Sequence, residues 1–67
     1  MTVLADEIRV GDRVIGPAGQ QTYVYPIDVI HITDYNRNGE RLGPRLHSER
    51  YARVDLTGAR RMVIERG

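Results

Sequence analysis

The stretch IRVGDRVIG, Ile8–Gly16, decides how the fold is read. Ile8, Val10 and Val14 are apolar, and the Gly11-Asp12 pair between them is a turn signal. Glycine accepts a positive φ without a Cβ clash, and aspartate can hydrogen-bond its own backbone. The stretch therefore predicts a strand entry, a tight turn and a first strand over Asp12–Ile15. Gly16-Pro17 follows, and proline cannot donate to a strand ladder, so the strand is expected to stop there.

Working outward, Met1–Glu7 reads as a short arm, with Val3 and Leu4 available to pack and Ala5-Asp6-Glu7 fitting either one helical turn or a simple lead into the strand. Pro17–Gln21 reads as a loop. Thr22–Tyr35, TYVYPIDVIHITDY, is the longest β-rich run, but two parities compete in it. Tyr23, Tyr25, Ile27 and Val29 share one, whereas Ile30 and Ile32 share the other. One flat strand cannot bury both sets. A bend or bulge near Pro26–Asp28 resolves the conflict, and a long bent strand can serve two sheets.

Asn38-Gly39 is the strongest turn signal, because both positions of a type I′ hairpin turn need positive φ. It is expected to fold Ile27–Tyr35 onto Glu40–Leu42, with Gly43-Pro44 ending that strand early. Arg45–Arg50 fits either a loop or a short helical turn. Tyr51–Leu56 alternates, with Ala52, Val54 and Leu56 on one face and Tyr51, Arg53 and Asp55 on the other. Thr57-Gly58-Ala59 turns the chain into a last strand, Arg60–Arg66. Met62 and Ile64 share one of its faces; Arg61, Val63 and Glu65 share the other.

No window of ten residues carries a helical period, so the chain is read as all-β. The spacing of an apolar pair, Val-Gly-Asp, Arg and Val resembles the first strand of small SH3-like barrels, including short proteins of actinobacteria and their phages that open on VGDRV. The resemblance implies a single five-stranded antiparallel SH3-like barrel over residues 8–67, preceded by the arm 1–7. It bears on fold; folds of this kind host many functions.

Sixty-seven residues allow one domain with a small core. The chain has no Trp, Phe or Cys, so neither a disulfide nor a thiolate metal site is available. No charged leader precedes an apolar run, and Pro26, Asp28 and His31 break the most apolar stretch. The expectation is a soluble cytoplasmic protein. All ten basic residues are Arg, a uniformity to which GC-rich coding can contribute. Residues 1–35 carry two Arg against five carboxylates, net −3, and residues 36–67 carry eight against four, net +4. Opposite halves hint at an electrostatic partner, although a barrel interleaves them.

Little in the sequence points to catalysis. His31 and Asp34 fall on opposite faces of a strand, His47-Ser48-Glu49 are neighbours rather than a triad, and Gly16–Gly19 lacks the Lys and helix of a phosphate loop. The expectation is a non-enzyme without cofactor or metal. Two binding readings remain. Tyr23, Tyr25, Tyr35 and Tyr51 suit a protein-interaction surface, since Tyr and Arg are enriched among interface anchors. SH3-like grooves take extended peptides on such aromatics. On this reading the protein is a small adaptor, or a phage-encoded protein acting on a host protein, or a homo-oligomer. The competing use for a Tyr is to complete a core that lacks Phe and Trp, and Tyr23 or Tyr25 is the best placed. In the alternative reading the Arg-rich second half binds nucleic acid as an accessory protein, through Arg37, Arg41, Arg60 and Arg61 at the two turns, with tyrosines to stack on bases. The pI of about 8.2 is low for a dedicated nucleic-acid domain. The nearly balanced charge favours protein interaction.

Overall fold

A computed structural model describes all 67 residues. The protein is all-β, with seven short strands in two antiparallel sheets and one 3-10 turn. The strands are β1 (Thr2–Leu4), β2 (Arg13–Pro17), β3 (Ile27–Asp28), β4 (His31–Arg37), β5 (Glu40–His47), β6 (Val54–Asp55) and β7 (Arg61–Glu65). The four-stranded sheet runs β1-β7-β2-β3, and the three-stranded sheet runs β4-β5-β6. Two sheets of four and three strands thus replace the single closed five-stranded barrel expected from sequence. No helix is long and apolar enough to cross a membrane.

The opening stretch forms its turn as read. Gly11 has φ +96°, and the Asp12 N–H donates to the Arg9 carbonyl at 3.0 Å. Asp12 does more than the sequence suggested, for it is 2 % exposed. Its carboxylate accepts the Arg9 N–H at 2.8 Å, Arg66 Nε at 2.9 Å and Arg66 Nη2 at 2.8 Å. A buried carboxylate needs this kind of compensation, because its desolvation is costly unless it is paired and fully hydrogen-bonded. The backbone of the same turn reaches the β3–β4 junction: Gly11 N–H donates to Val29 O at 2.8 Å, and Val29 N–H to Asp12 O at 2.9 Å.

β2 does not stop at Ile15. It continues through Gly16 and Pro17, which face Val63 and Met62 of β7 across a register shift after Val14. Gly16 fits because the Thr22–Tyr23 backbone lies where a larger residue would place its Cβ. Pro17 is tolerated because it closes the strand, and Ala18 N–H resumes the bonding to Arg61 O at 3.0 Å.

The long run Thr22–Tyr35 is broken as its parity conflict demanded, at a different point. Thr22–Pro26 is loop, β3 pairs with β2, and β4 pairs with β5. Ile27 and Val29 are buried, Ile30 is 54 % exposed, and Ile32 is half-buried. The switch therefore falls at Val29–Ile30, where the chain leaves one sheet for the other, rather than at Pro26–Asp28.

Asn38 and Gly39 form the hairpin turn, with φ +52° and +76°. The hairpin is longer than expected, since β5 runs through Gly43-Pro44 to His47 and a bulge after Tyr35 absorbs the mismatch. Gly43 does not end the strand; it lets another segment cross. A Cβ there would collide with the backbone of Leu56–Gly58. That segment passes close enough to donate Leu56 N–H to Pro44 O at 3.1 Å and Gly58 N–H to Leu42 O at 2.9 Å. The alternation read over Tyr51–Leu56 survives as only two strand residues. Leu56 is buried, Val54 half-buried and Ala52 exposed, because the chain from Ser48 to Arg53 loops away. The last strand matches its reading: Met62 and Ile64 are buried, whereas Arg61 and Glu65 are exposed.

The first residues are more than an arm. β1 is an edge strand of the sheet, with Thr2–Leu4 opposite Arg61–Val63. Of the two readings of Ala5–Glu7, the helical turn is the one that forms, as a 3-10 turn. Ala5 there is fully buried, and its N–H donates to Arg60 O at 2.8 Å. The core consists of Ala5, Ile8, Val14, Ile27, Val29, Leu46, Leu56, Met62 and Ile64, drawn from both sheets and wholly aliphatic apart from the Met.

Two predictions follow from these contacts. Gly39→Val destabilises by on the order of 1–3 kcal/mol through backbone strain. Gly43→Ala costs about 3 kcal/mol or more, because backbone rather than a movable side chain blocks the methyl group. Thermal melts order the three proteins, and a Gly43→Ala midpoint equal to wild type contradicts the close crossing. The second prediction concerns acid. Arg66 holds the Asp12 carboxyl below its ordinary range, and Arg45 does the same for Asp55. A depressed folded-state pKa contributes stability that is complete above the unfolded value and lost as pH falls through the folded one. Stability is therefore flat near neutrality and declines below about pH 4. Asp12→Asn lowers the neutral midpoint and makes the acid decline shallower. An acid slope unchanged in that variant would show that Asp12 is not responsible.

Candidate functional site: an apolar cleft between two tyrosine-bearing loops

Two loops, Gln21–Pro26 and Ser48–Arg53, meet beside the core; the sequence read Thr22–Pro26 and Tyr51–Arg53 within them as strand. Tyr23 is anchored first. Its N–H donates to Ile15 O at 2.8 Å, beside β2, and its ring packs half-buried on the core. Tyr51 is positioned from the other loop. Its N–H donates to Ser48 Oγ at 3.0 Å, a side-chain turn that shapes the segment between β5 and β6. Its hydroxyl donates to Tyr25 O at 2.8 Å, which latches one loop to the other. The Arg50 guanidinium lies 4.0 Å from the centre of the Tyr25 ring, a cation–π contact that repeats the link from the same two loops.

The latch leaves a cleft of about 140 Å³ walled by Tyr23, Ile27, Tyr51 and Val54. All four walls are apolar, and Tyr23, Tyr51 and Val54 also pack on the core. Beside it lies a more polar depression of about 330 Å³, bordered by Pro26, Asp28, Ile30, Ser48, Glu49 and Arg50. Ile30, on the border of the depression, and Tyr25, bound by the Tyr51 hydroxyl, each have more than half of their surface open to solvent. Large apolar side chains gathered at one exposed place mark an interaction site more often than scattered ones do.

Of the four tyrosines singled out from sequence, the fold gathers three. Tyr23 and Tyr51 form the cleft, and Tyr25 lies at its rim, too exposed to serve as core. Tyr35 is on β4, in the other sheet from β3, and stands apart from them. Val54, Ile27 and Arg50 were not expected at this site. The alternation around Val54 placed it toward the core, and nothing local showed that a neighbouring loop would leave one of its sides open.

The Arg set is dispersed differently. Arg41 is committed to two carboxylates, Asp34 at 2.8 Å and Asp6 at 2.9 Å. Arg37, Arg60 and Arg61 are exposed and form no ion pair. The turn bearing Arg60 adjoins the β4–β5 hairpin through the bond from Gly58 to Leu42. Asp6 lies between them, close against Gly58 and paired with Arg41. Arg13 and Arg45 are also tied to carboxylates, Asp28 and Asp55. Arg13, Arg41, Arg45 and Arg66 are thus paired with carboxylates, and the other six arginines are not.

Compared with models of protein families, with curated proteins and with solved structures, the chain finds no match.

If the hydroxyl bond is what closes the latch, Tyr51→Phe keeps the cleft walls and frees the Tyr25 loop. The expected cost is about 1 kcal/mol or less, since the bond is exposed. Amide exchange at Val24 and Tyr25 should quicken while exchange in β7 stays unchanged. Equal acceleration in both places would show a global effect rather than loss of the latch.

Proposed function

We propose that the protein is a small non-enzymatic protein-interaction module, an adaptor or a phage-encoded protein acting on a host protein. It takes a partner's apolar side chain into the Tyr23–Ile27–Tyr51–Val54 cleft. The single observation behind this reading is the cleft itself: four apolar walls, two of them Tyr rings, open to solvent. Its volume of about 140 Å³ suits one branched aliphatic or proline side chain, not a drug-sized ligand, whose pockets begin at about 300 Å³. The rim supplies the rigid aromatic and guanidinium groups typical of interface anchors, in Tyr25 and Arg50.

An SH3-like architecture is part of the same proposal. β3 and β4 are separated only by Val29–Ile30, yet each bonds in a different sheet. Counted as one bent strand, they give five strands with β2, β5, β6 and β7, and β1 becomes an added edge. On that count the two loops at the cleft lead into the bent strand and join β5 to β6.

The nucleic-acid reading ranks second. It rests on Arg37, Arg60 and Arg61, which are exposed and free of carboxylate partners, and it is weakened by Asp6, Asp34 and Arg41 between them. The test sets the two readings against each other. A random-peptide display library is panned against the wild-type protein, and the enriched peptides are titrated against Tyr51→Ala and the double variant Arg60→Ala/Arg61→Ala. Enriched peptides share an aliphatic or proline anchor, and Tyr51→Ala removes their binding while the double variant keeps it. Failure to enrich, or binding indifferent to Tyr51, overturns the cleft reading. Nucleic-acid binding would instead be seen with mixed oligonucleotides at low salt, with a log–log salt slope of about −2 to −4 for three or four phosphate contacts. It would be weakened evenly across sequences in the double variant.

A further inference from the structure

His31 and His47 are sixteen residues apart in sequence. The β4–β5 register places them directly opposite each other. Their ring centres are 5.4 Å apart, with the ring planes inclined by 40°. His31 is exposed and His47 half-buried. One ring nitrogen of His47, Nε2, lies 2.8 Å from Thr33 Oγ1. In the tautomer whose Nε2 proton is donated to Thr33 Oγ1, Nδ1 keeps its lone pair for a ligand, the arrangement second neighbours commonly provide for a metal-ligating imidazole.

We propose that this cross-strand pair is a two-imidazole site for a zinc-type divalent ion. The spacing carries the proposal. Zinc binds an imidazole nitrogen at about 2.0–2.1 Å, which puts the metal about 3.2 Å from each ring centre. Two rings on one ion at a tetrahedral angle then have centres about 5.2 Å apart. The observed separation is 5.4 Å. The backbone ladder holds both ligand-bearing residues in place before any ion arrives, so the second imidazole binds at high effective concentration.

The flanking groups define the ion's class. Asp55 is on the next strand, but both of its oxygens are engaged by Arg45, at 2.7 and 3.4 Å. No group of three or more His, Cys, Asp or Glu side chains converges anywhere in the protein. With two protein ligands, one fewer than a catalytic zinc site has, the ion keeps two positions for water or for a ligand from another molecule. Imidazole without carboxylate selects zinc, nickel or copper over magnesium and calcium, which prefer oxygen.

The site is tested by titrating zinc chloride into the full chain in a buffer without chelators. Heat and the imidazole proton–nitrogen NMR signals are followed together. One ion binds per chain, and the His31 and His47 signals move together. His31→Gln and His47→Gln each weaken binding by about tenfold or more, the loss of one arm of a chelate. Magnesium chloride moves neither signal. Both variants alter only surface side chains, and a melt without metal confirms that they are folded. No saturable binding up to about 1 mM zinc overturns the proposal. So does movement of only one imidazole, or a wild-type affinity that survives either substitution, which would assign the ion to other groups. Because the pair lies on the sheet face and not among the cleft residues, none of these outcomes depends on the peptide-binding reading.

Discussion

The Asp12 carboxylate is the joint on which the architecture depends. It is almost completely removed from water, and its compensation comes from two distant parts of the chain, the Arg9 N–H within its own turn and the guanidinium of Arg66 beyond β7. The main chain of Gly11 and Asp12 exchanges hydrogen bonds with Val29, at the point where the chain passes from one sheet to the other. One turn thus fixes the start of β2, the end of β7 and the β3–β4 junction. An unpaired carboxylate buried there would be strongly unfavourable, so the three segments are obliged to meet. Arg66 also donates to the Glu7 carbonyl at 3.2 Å, which brings the 3-10 turn into the same joint.

A core of nine residues without a single aromatic ring leaves little stabilisation to spare. The protein recovers some of it by closing both sheets over small residues. Gly43 admits the Leu56–Gly58 backbone, and Gly16 admits Thr22–Tyr23. It also uses two tyrosines as a partial lid. Tyr23 and Tyr51 pack against the core from outside, and their rings remain partly open. The same shortage of large core residues that calls tyrosines to the edge of the core leaves an apolar cleft at that edge.

The charged residues chiefly orient the strands. Arg13 with Asp28, Arg45 with Asp55 and Arg41 with Asp34 all join residues of adjacent strands. Pairs exposed in this way contribute little stability each. Their effect is on register, since a one-residue slip would turn one partner to the opposite face. The exposed β4 edge carries His31, Thr33, Asp34, Asn36 and Arg37, a composition that discourages pairing with another chain's strand.

Local chemistry made several features legible from sequence. The Gly11 and Asn38-Gly39 turns are set by φ values that few residues adopt, and the burial of Met62 and Ile64 is set by two-residue alternation in a regular strand. The parity conflict in Thr22–Tyr35 announced that this run must break, because no single strand could bury both of its apolar sets. Tertiary contacts decided where it breaks. The bonds from Val29 to the Gly11-Asp12 turn put the switch at Val29–Ile30, after Pro26 rather than at it. They likewise decided that Gly43-Pro44 lies inside a strand, because what Gly43 accommodates is a backbone crossing from thirteen residues downstream at Leu56. The cleft was half legible: composition marked the tyrosines, but which of them would meet depended on how two irregular loops fold back, and loops carry no periodic signal. The facing of His31 and His47, and the meeting of Asp12 with Arg66, left no trace in the sequence. Each depends on pairing between distant strands, and register is a property of the assembled sheet rather than of either strand alone.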